Sequence, residues 1–338
     1  MARSTTIEIL TEHLQEHQAV KAWRQLQSDH REPSSIEILK HIKKSAVYRL
    51  NGIGPHGEAI IAKRCRKATA NVERMIYEEL LPRAPVSALR CYGFLKEPEG
   101  EFCWLFLEDA AGQLYSPQLA EHRALAGRWL AETHLTPVPP DLKAHLPDRD
   151  LGHYLKLLRS SRATLLEHLA RNTAVTNDDA VVLHKTVAHC DVLESHWSKV
   201  ESLCDGMPRT LVHGDFVIKN VRVQNGVASP ALLVFDWEYA GWGLPGTDLA
   251  QFVGHVASPD IDVYCSVLRR EHPHVDVRKI QAVAACGNLL RLVDDIGWAI
   301  ALLEFGDHRY LVKPVSTLRL YEAMLLEAMS ILSWSWHD

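Results

Sequence analysis

TLVHGDFVIKNVRV at 210–223 and ALLVFDWEY at 231–239 decide how this chain is read. Each is a short apolar run rich in β-branched residues, and Gln224-Asn225-Gly226 between them is a turn signal, so the two read as neighbouring strands. Their polar residues stand at the strand ends. His213, Gly214 and Asp215 are followed by Asn220, and Asp236 comes sixteen positions after Asn220. Two carboxylates and an amide placed this way suit a magnesium-phosphate centre. Mg²⁺ takes a few protein oxygens and completes its shell with phosphates and water, while a hydroxyl nucleophile needs a carboxylate to receive its proton.

Composition narrows the classes around this stretch. The 338 residues are 47% apolar and 23% charged, enough for two domains or lobes, which excludes disordered, collagen-like and disulfide-scaffold chains. Lys and Arg number 37 against 42 Asp and Glu, a net charge of −5 that does not suit a general polyanion binder, so no nucleic-acid partner is expected. Seven cysteines with no CxxC pair read as free thiols in a reducing compartment, not as a zinc site. Glu8, Glu12 and Glu16 interrupt what would be the apolar core of a signal peptide. The most apolar later stretch, 289–305, contains Arg291, Asp294, Asp295 and Glu304, short of the roughly 20 apolar residues of a membrane span. The expectation is a cytoplasmic protein with no membrane partner; its oligomeric state is not written in these patterns.

Further from the centre, residues 1–30 carry Leu10, Leu14, Val20, Trp23 and Leu26 at helical intervals and read as one appended helix. SIEILKHI (35–42), SAVYRL (45–50) and GEAIIAKRC (57–65) read as an antiparallel meander, followed by a helix over 68–81 stopped by Pro82, then by the strand CWLFLED (103–109). A small α+β lobe therefore spans 31–109, with five strands and one main helix expected. From Ser116-Pro117 onward the texture of 110–338 is helical, with helices expected to about His134, over 150–170 and over 178–203.

HGDFVIKN, FDWE and the following GWGLPGTDLAQF (241–252) together resemble the aminoglycoside phosphotransferase and choline kinase-like family over roughly 209–252. The resemblance implies a bilobal protein kinase-like fold. It also implies a small-molecule kinase that moves the γ-phosphoryl of ATP or GTP, with Mg²⁺, to a hydroxyl of a small acceptor such as an aminoglycoside-like antibiotic or an amino alcohol. Position by position, it makes Asp215 the catalytic base, Asn220 and Asp236 the metal ligands, Asn220 also part of the catalytic loop, and His213 and Asp248 structural supports. The small lobe should supply Lys63 in AIIAKR for the nucleotide phosphates, held by a glutamate of VERMIYEELLP, with Glu73 preferred over Glu78. CWLFLEDA resembles the lobe connector, which implies that Glu108 to Ala110 meet the purine edge. Lys40 to Ser45 stands where a phosphate-facing loop belongs, with Ser45 as a phosphate contact. Val217 departs from the family pattern, which often has His or Lys there, and Lys219 stands directly before Asn220. Those two departures motivate an alternative, a non-catalytic nucleotide-binding protein of kinase fold.

Three other signals compete. Gly52 to Gly57 fits GxGxxG, but a strand rather than a helix follows it, so it reads as the turn between two strands. His13-Leu14-Gln15-Glu16-His17 fits HxxEH and gives a zinc hydrolase as the remote alternative. Residues 236–338 hold fourteen acidic against eight basic residues, which makes Asp294, Asp295 and Glu304 candidates to face a cationic acceptor, with Trp334 and Trp336 as candidate cation–π walls.

Overall fold

The structure, a computed structural model, describes residues 7–27, 31–42, 44–225, 230–251 and 253–332. Gly226, Phe252, Trp334 and Trp336 therefore lie outside the described residues. In chain order the elements are β1 (Glu8–Leu10), α1 (Gln18–Leu26), β2 (Ser35–Ile42), β3 (Ser45–Asn51), β4 (Ile60–Arg66), α2 (Lys67–Met75), β5 (Cys91–Lys96), β6 (Phe102–Glu108), β7 (Gln113–Leu114), α3 (Ala120–Leu135) and α4 (Pro140–Lys143). They continue with β8 (Asp148–Arg149), α5 (Leu151–Arg171), α6 (Asn177–Ser195), α7 (Trp197–Cys204), β9 (Thr210–Val212), β10 (Val221–Asn225), β11 (Pro230–Val234), β12 (Gly241–Gly243), α8 (Ile261–Glu271), α9 (Val277–Ile300) and α10 (Arg309–Ile331). The expected α+β class is the observed one.

Two compact units result. The first comprises Met1–Leu114, Pro140–His145 and Asn220–Tyr239. Its main sheet has six strands in the order β1-β2-β3-β4-β6-β5, and a second sheet runs β11-β10-β7. The sixth strand of the main sheet comes from the N-terminal segment, which is not one appended helix. Residues Glu8, Ile9 and Leu10 pair antiparallel with Ile38, Glu37 and Ile36, and His13 takes a left-handed φ of 53° that breaks any helix there. The helix proper starts only after His17, whose Nδ1 accepts the Ala19 N–H at 3.2 Å. Ala19, Val20, Ala22 and Trp23 of α1 are buried in one core with Ile36, Leu50, Ile60 and Phe106. His13 and His17 therefore do not share a helix face, and the HxxEH reading fails on that geometry.

Gly52 to Gly57 forms the turn from β3 to β4. Gly57 N–H donates to Gly54 O at 2.9 Å, and a Cβ on Gly54 would lie 2.5 Å from the Glu58 side chain, so the glycines serve a tight turn between two strands and no helix opens after them. The helix expected over 68–81 is tighter at its start than at its end: α2 widens into a π-type turn over Ile76–Leu80 before Pro82. The small-lobe boundary also differs from 31–109. β10 pairs with both β11 and β7, so 220–239, which carries Asn220 and Asp236, belongs to the first unit.

The second unit, Tyr115–Pro139, Leu146–Lys219 and Ala240–Asp338, is mostly helical around a core that includes Leu158, Leu183, Leu292 and Leu318. Asp150, Thr176, Asp260 and Asp276 cap its helices by accepting backbone N–H groups of the first turn. The helix expected over 178–203 is divided at His196 into α6 and α7. A Cβ on Gly287 of α9 would overlap the Gly246 carbonyl oxygen, so α9 approaches the 245–251 segment as only glycine allows. Asn288, the next residue, accepts Gln251 N–H at 2.7 Å, fixing the rotation of α9. No described helix is long and apolar enough to cross a membrane.

Candidate active site

In the first unit, strand alternation on β4 buries Lys63, and α2 follows at once, so its buried stripe of Ala70, Glu73 and Met75 returns to the same place. Lys63 Nζ lies 2.6 Å from Glu73 Oε1 and also contacts Asp236 Oδ1, with Glu238 Oε2 at 3.9 Å. Glu78 is instead paired with Arg74 on the exposed side of the helix, at 2.8 Å. Glu73 is fully buried. Burial disfavours the Lys63 ammonium, but the three carboxylates outweigh it and hold the group well above its ordinary value. Burial also pushes the Glu73 carboxyl up to about 7, against the pull of Lys63.

Asp236 sits at φ 68°, a left-handed conformation uncommon for a residue with a side chain and one that marks a constrained position. The N–H of Phe235, just before it, donates to Asn220 O at 3.1 Å, so β10 and the end of β11 bring Asn220 beside the Asp236 turn. Carboxylate oxygens of Glu73, Asp236 and Glu238 lie within 4.8 Å of one another. An all-oxygen set of this kind suits a hard cation such as Mg²⁺. Glu238 was not singled out from the sequence, although its place two residues after Asp236 in FDWE was the available signal.

A cavity of about 210 Å³ in this unit is lined by Lys63, Glu73 and Asp236 at one place and by Glu108, Asp109 and Ala110 of the connector at another. These six sequence-derived candidates thus meet in one cavity. Ser45 does not line it; it opens β3 with a buried hydroxyl that has no hydrogen-bond partner among the described residues. Arg49 bridges Asp109, with Nε to Oδ2 at 2.8 Å, and Glu37, with Nη1 to Oε2 at 2.7 Å.

In the second unit, the HGD segment leaves β9 through Gly214 at φ 74°. Asp248 receives the N–H groups of His213 at 2.7 Å and Gly214 at 2.9 Å, and lies 3.3 Å from His134 Nε2. Burial disfavours the Asp248 carboxylate, but these neighbours prevail and hold it below the usual range. His213 Nδ1 accepts the Asp215 N–H at 3.2 Å, so His213 orients the segment.

Asp215 is 2% exposed and faces an arginine the sequence reading did not use. Arg291, 1% exposed on α9, donates from Nη1 to Gly214 O at 2.9 Å, and its Nη2 lies 2.8 Å from Asp215 Oδ1 and 3.0 Å from Asp295 Oδ1. Trp298 covers this guanidinium, whose carbon is 4.5 Å from the ring centroid. The available signal was the i, i+4 spacing of Arg291 and Asp295 within an otherwise apolar helix. Lys219 Nζ stands 3.4 Å from Asp215 Oδ2, whereas Val217 is buried and bridges Val256.

Asp294 and Asp295 are both buried in this cluster and do not lie on an open face. Burial raises both carboxyls, Asp294 to about 7. Glu304 lies four residues past the end of α9, outside that helix, and its backbone oxygen accepts from Asn172 Nδ2 at 3.0 Å.

The sequence profile of the phosphotransferase enzyme family matches residues 45–283, which spans β3 through the first turns of α9 and includes Lys63, Glu73 and the HGD, FDWE and GWGLPGTDLAQF runs. The chain belongs to that family. The phosphotransferase has the protein kinase-like fold of several solved structures. The GDP complex of aminoglycoside 2′-phosphotransferase-IIIa is 13% identical, with a TM-score of 0.61 over 90% of this chain and 97% of that one. A Plasmodium vivax ethanolamine kinase is 15% identical, with a TM-score of 0.59 over 87% and 84%. A choline kinase from Cryptosporidium parvum is 12% identical, with a TM-score of 0.53 over 88% and 93%. No curated protein sequence matches the phosphotransferase.

Proposed function

We propose that this phosphotransferase moves the γ-phosphoryl group of ATP or GTP, with Mg²⁺, to a hydroxyl of a small molecule, with amino alcohols and aminoglycosides as the acceptor classes. The observation that carries the reading is the meeting of Lys63, Glu73 and Asp236 in the cavity that the connector residues Glu108 to Ala110 also line. Lys63 is kept charged there and serves as a point charge for the donor phosphates. Asp236, with Asn220, is the metal-holding pair, and Glu238 adds a third oxygen donor of the right hardness. A bound Mg²⁺ supplies charge neutralisation at the phosphate oxygens.

Asp215 accepts the proton of the acceptor hydroxyl while the new O–P bond forms and the bond to the β-phosphate oxygen breaks, releasing a nucleoside diphosphate. Arg291 and Asp248 are its positioning residues, one through the carboxylate and the Gly214 carbonyl, the other through the two backbone N–H groups before it. Asp295 acts in the same reading through Arg291, Asp294 is buried near Arg149 and Arg291, and any attraction the two carboxylates exert on a cationic acceptor is that of buried charge. The seven cysteines, all thiols, fit the cytoplasm as the site of action.

Nucleotide titrations with and without Mg²⁺ test the metal assignment. Mg²⁺ should tighten ADP binding to the wild-type chain at least tenfold, and Asp236→Ala should remove that gain. An equal Mg²⁺ effect in both proteins would contradict the assignment.

A further inference from the structure

Arg222 is a charged residue between two buried valines. On β10, Val221 and Val223 are buried while Arg222, between them, lines the cavity of about 210 Å³ together with Phe235. Its guanidinium carbon lies 5.4 Å from the Phe235 ring centroid, and its Nη1 donates to Val221 O at 2.8 Å, contacts that hold the guanidinium plane in place. Across the cavity stand Leu39, Val47, Ile61 and Leu107 of the six-stranded sheet, so the two walls belong to different sheets and differ in character. The charged neighbours that act on Arg222 are Asp109, which favours its charge, and Arg49, which opposes it, after a larger opposing effect of burial. Both neighbours belong to the connector end of the cavity, where a base would lie, and not to the Lys63 end.

A guanidinium is planar, weakly hydrated and stacks on aromatic faces, whereas an ammonium of the same charge does not. We infer that the Arg222 guanidinium is the platform on which the donor's purine base stacks, with the aliphatic residues of the main sheet closing over its other face. This rests on the nucleotide-donor reading above and deepens it. A stacking platform reads the face of a base and not its edge, so adenine and guanine are held alike by this residue. The smaller face of a pyrimidine is held less well. Discrimination between the two purines is left to backbone groups of the connector.

Calorimetric titration of the full chain with adenosine, guanosine, cytidine and ADP tests the inference in wild-type, Arg222→Lys, Arg222→Leu and Lys63→Ala proteins. Arg222 is only half-buried, so both replacements are compatible with folding, which circular dichroism checks. Both should weaken adenosine, guanosine and ADP by about tenfold, Lys because it lacks the plane and Leu because it lacks the charge. Lys63→Ala should weaken ADP and leave adenosine unchanged. Wild-type affinity for adenosine in Arg222→Leu would mean an ordinary apolar wall, and a loss confined to ADP would mean a phosphate contact. Either result overturns the inference while leaving the donor reading intact. A wild-type chain that binds neither ADP nor adenosine would overturn both.

Discussion

At the scale of single residues, the account depends on how charges are held when they leave water. Lys63 is surrounded by three carboxylates and Arg291 by two close ones, so each buried cation is matched by more anions than it needs. The excess shows in Asp294, whose carboxyl is pushed up to about 7 by burial first, with Asp295 and Asp215 adding to the rise and Arg149 and Arg291 opposing it. An unfolded Asp loses its proton near pH 4, about three units lower, so between those values the folded chain holds a proton that the unfolded chain has released. Stability from this residue is therefore greatest in acid, declines from about pH 4 to 7 and is level above that. Asp294→Asn cannot titrate, and urea unfolding at pH 5 and pH 8 should reveal a smaller decline than in the wild type. Identical declines would remove Asp294 as the cause.

At the scale of elements, local patterns were legible and non-local pairings were not. The HGD and FDWE runs carry their chemistry within a few residues of sequence, and the burial of Glu73 follows from its place on a short amphipathic helix. The N-terminal segment carried no such local sign. Its Leu and Val spacing fits a helix, yet Glu8–Leu10 is a strand because β2 offers an unpaired edge, a fact held thirty residues away. Arg291 escaped notice for a related reason: its meaning lies in the Gly246–Gly287 approach that brings α9 to the HGD segment. Because α1 is built into the main-sheet core, Trp23, with ring centroids 5.2 Å from Phe106 and 6.0 Å from Tyr92, should matter to stability. Trp23→Ala is expected to cost about 3–5 kcal/mol in urea unfolding monitored at the first unit. A cost below about 0.5 kcal/mol, typical of a surface position, would return α1 to the status of an appendage.

At the scale of the whole molecule, the motifs define a phosphotransferase more sharply than they define its acceptor. The family match covers residues 45–283, and the residues that meet in the cavity are those that the proposed reading gives to the donor. The acceptor side is described by charge alone, fourteen acidic against eight basic residues over 236–338, with Asp295 paired to Arg291 and Asp294 buried in the field of Arg149 and Arg291. Catalysis in this reading is the placing of a hydroxyl, a carboxylate and a phosphate, with Asp215 as the one group whose loss stops proton removal. The most direct test is nucleoside diphosphate release from Mg-ATP and Mg-GTP across aminoglycosides and amino alcohols, with Asp215→Ala run beside the wild type. The account predicts acceptor-dependent release from the wild type that falls at least a hundredfold in Asp215→Ala while nucleotide affinity is kept. Equal acceptor-dependent release from both proteins would contradict it.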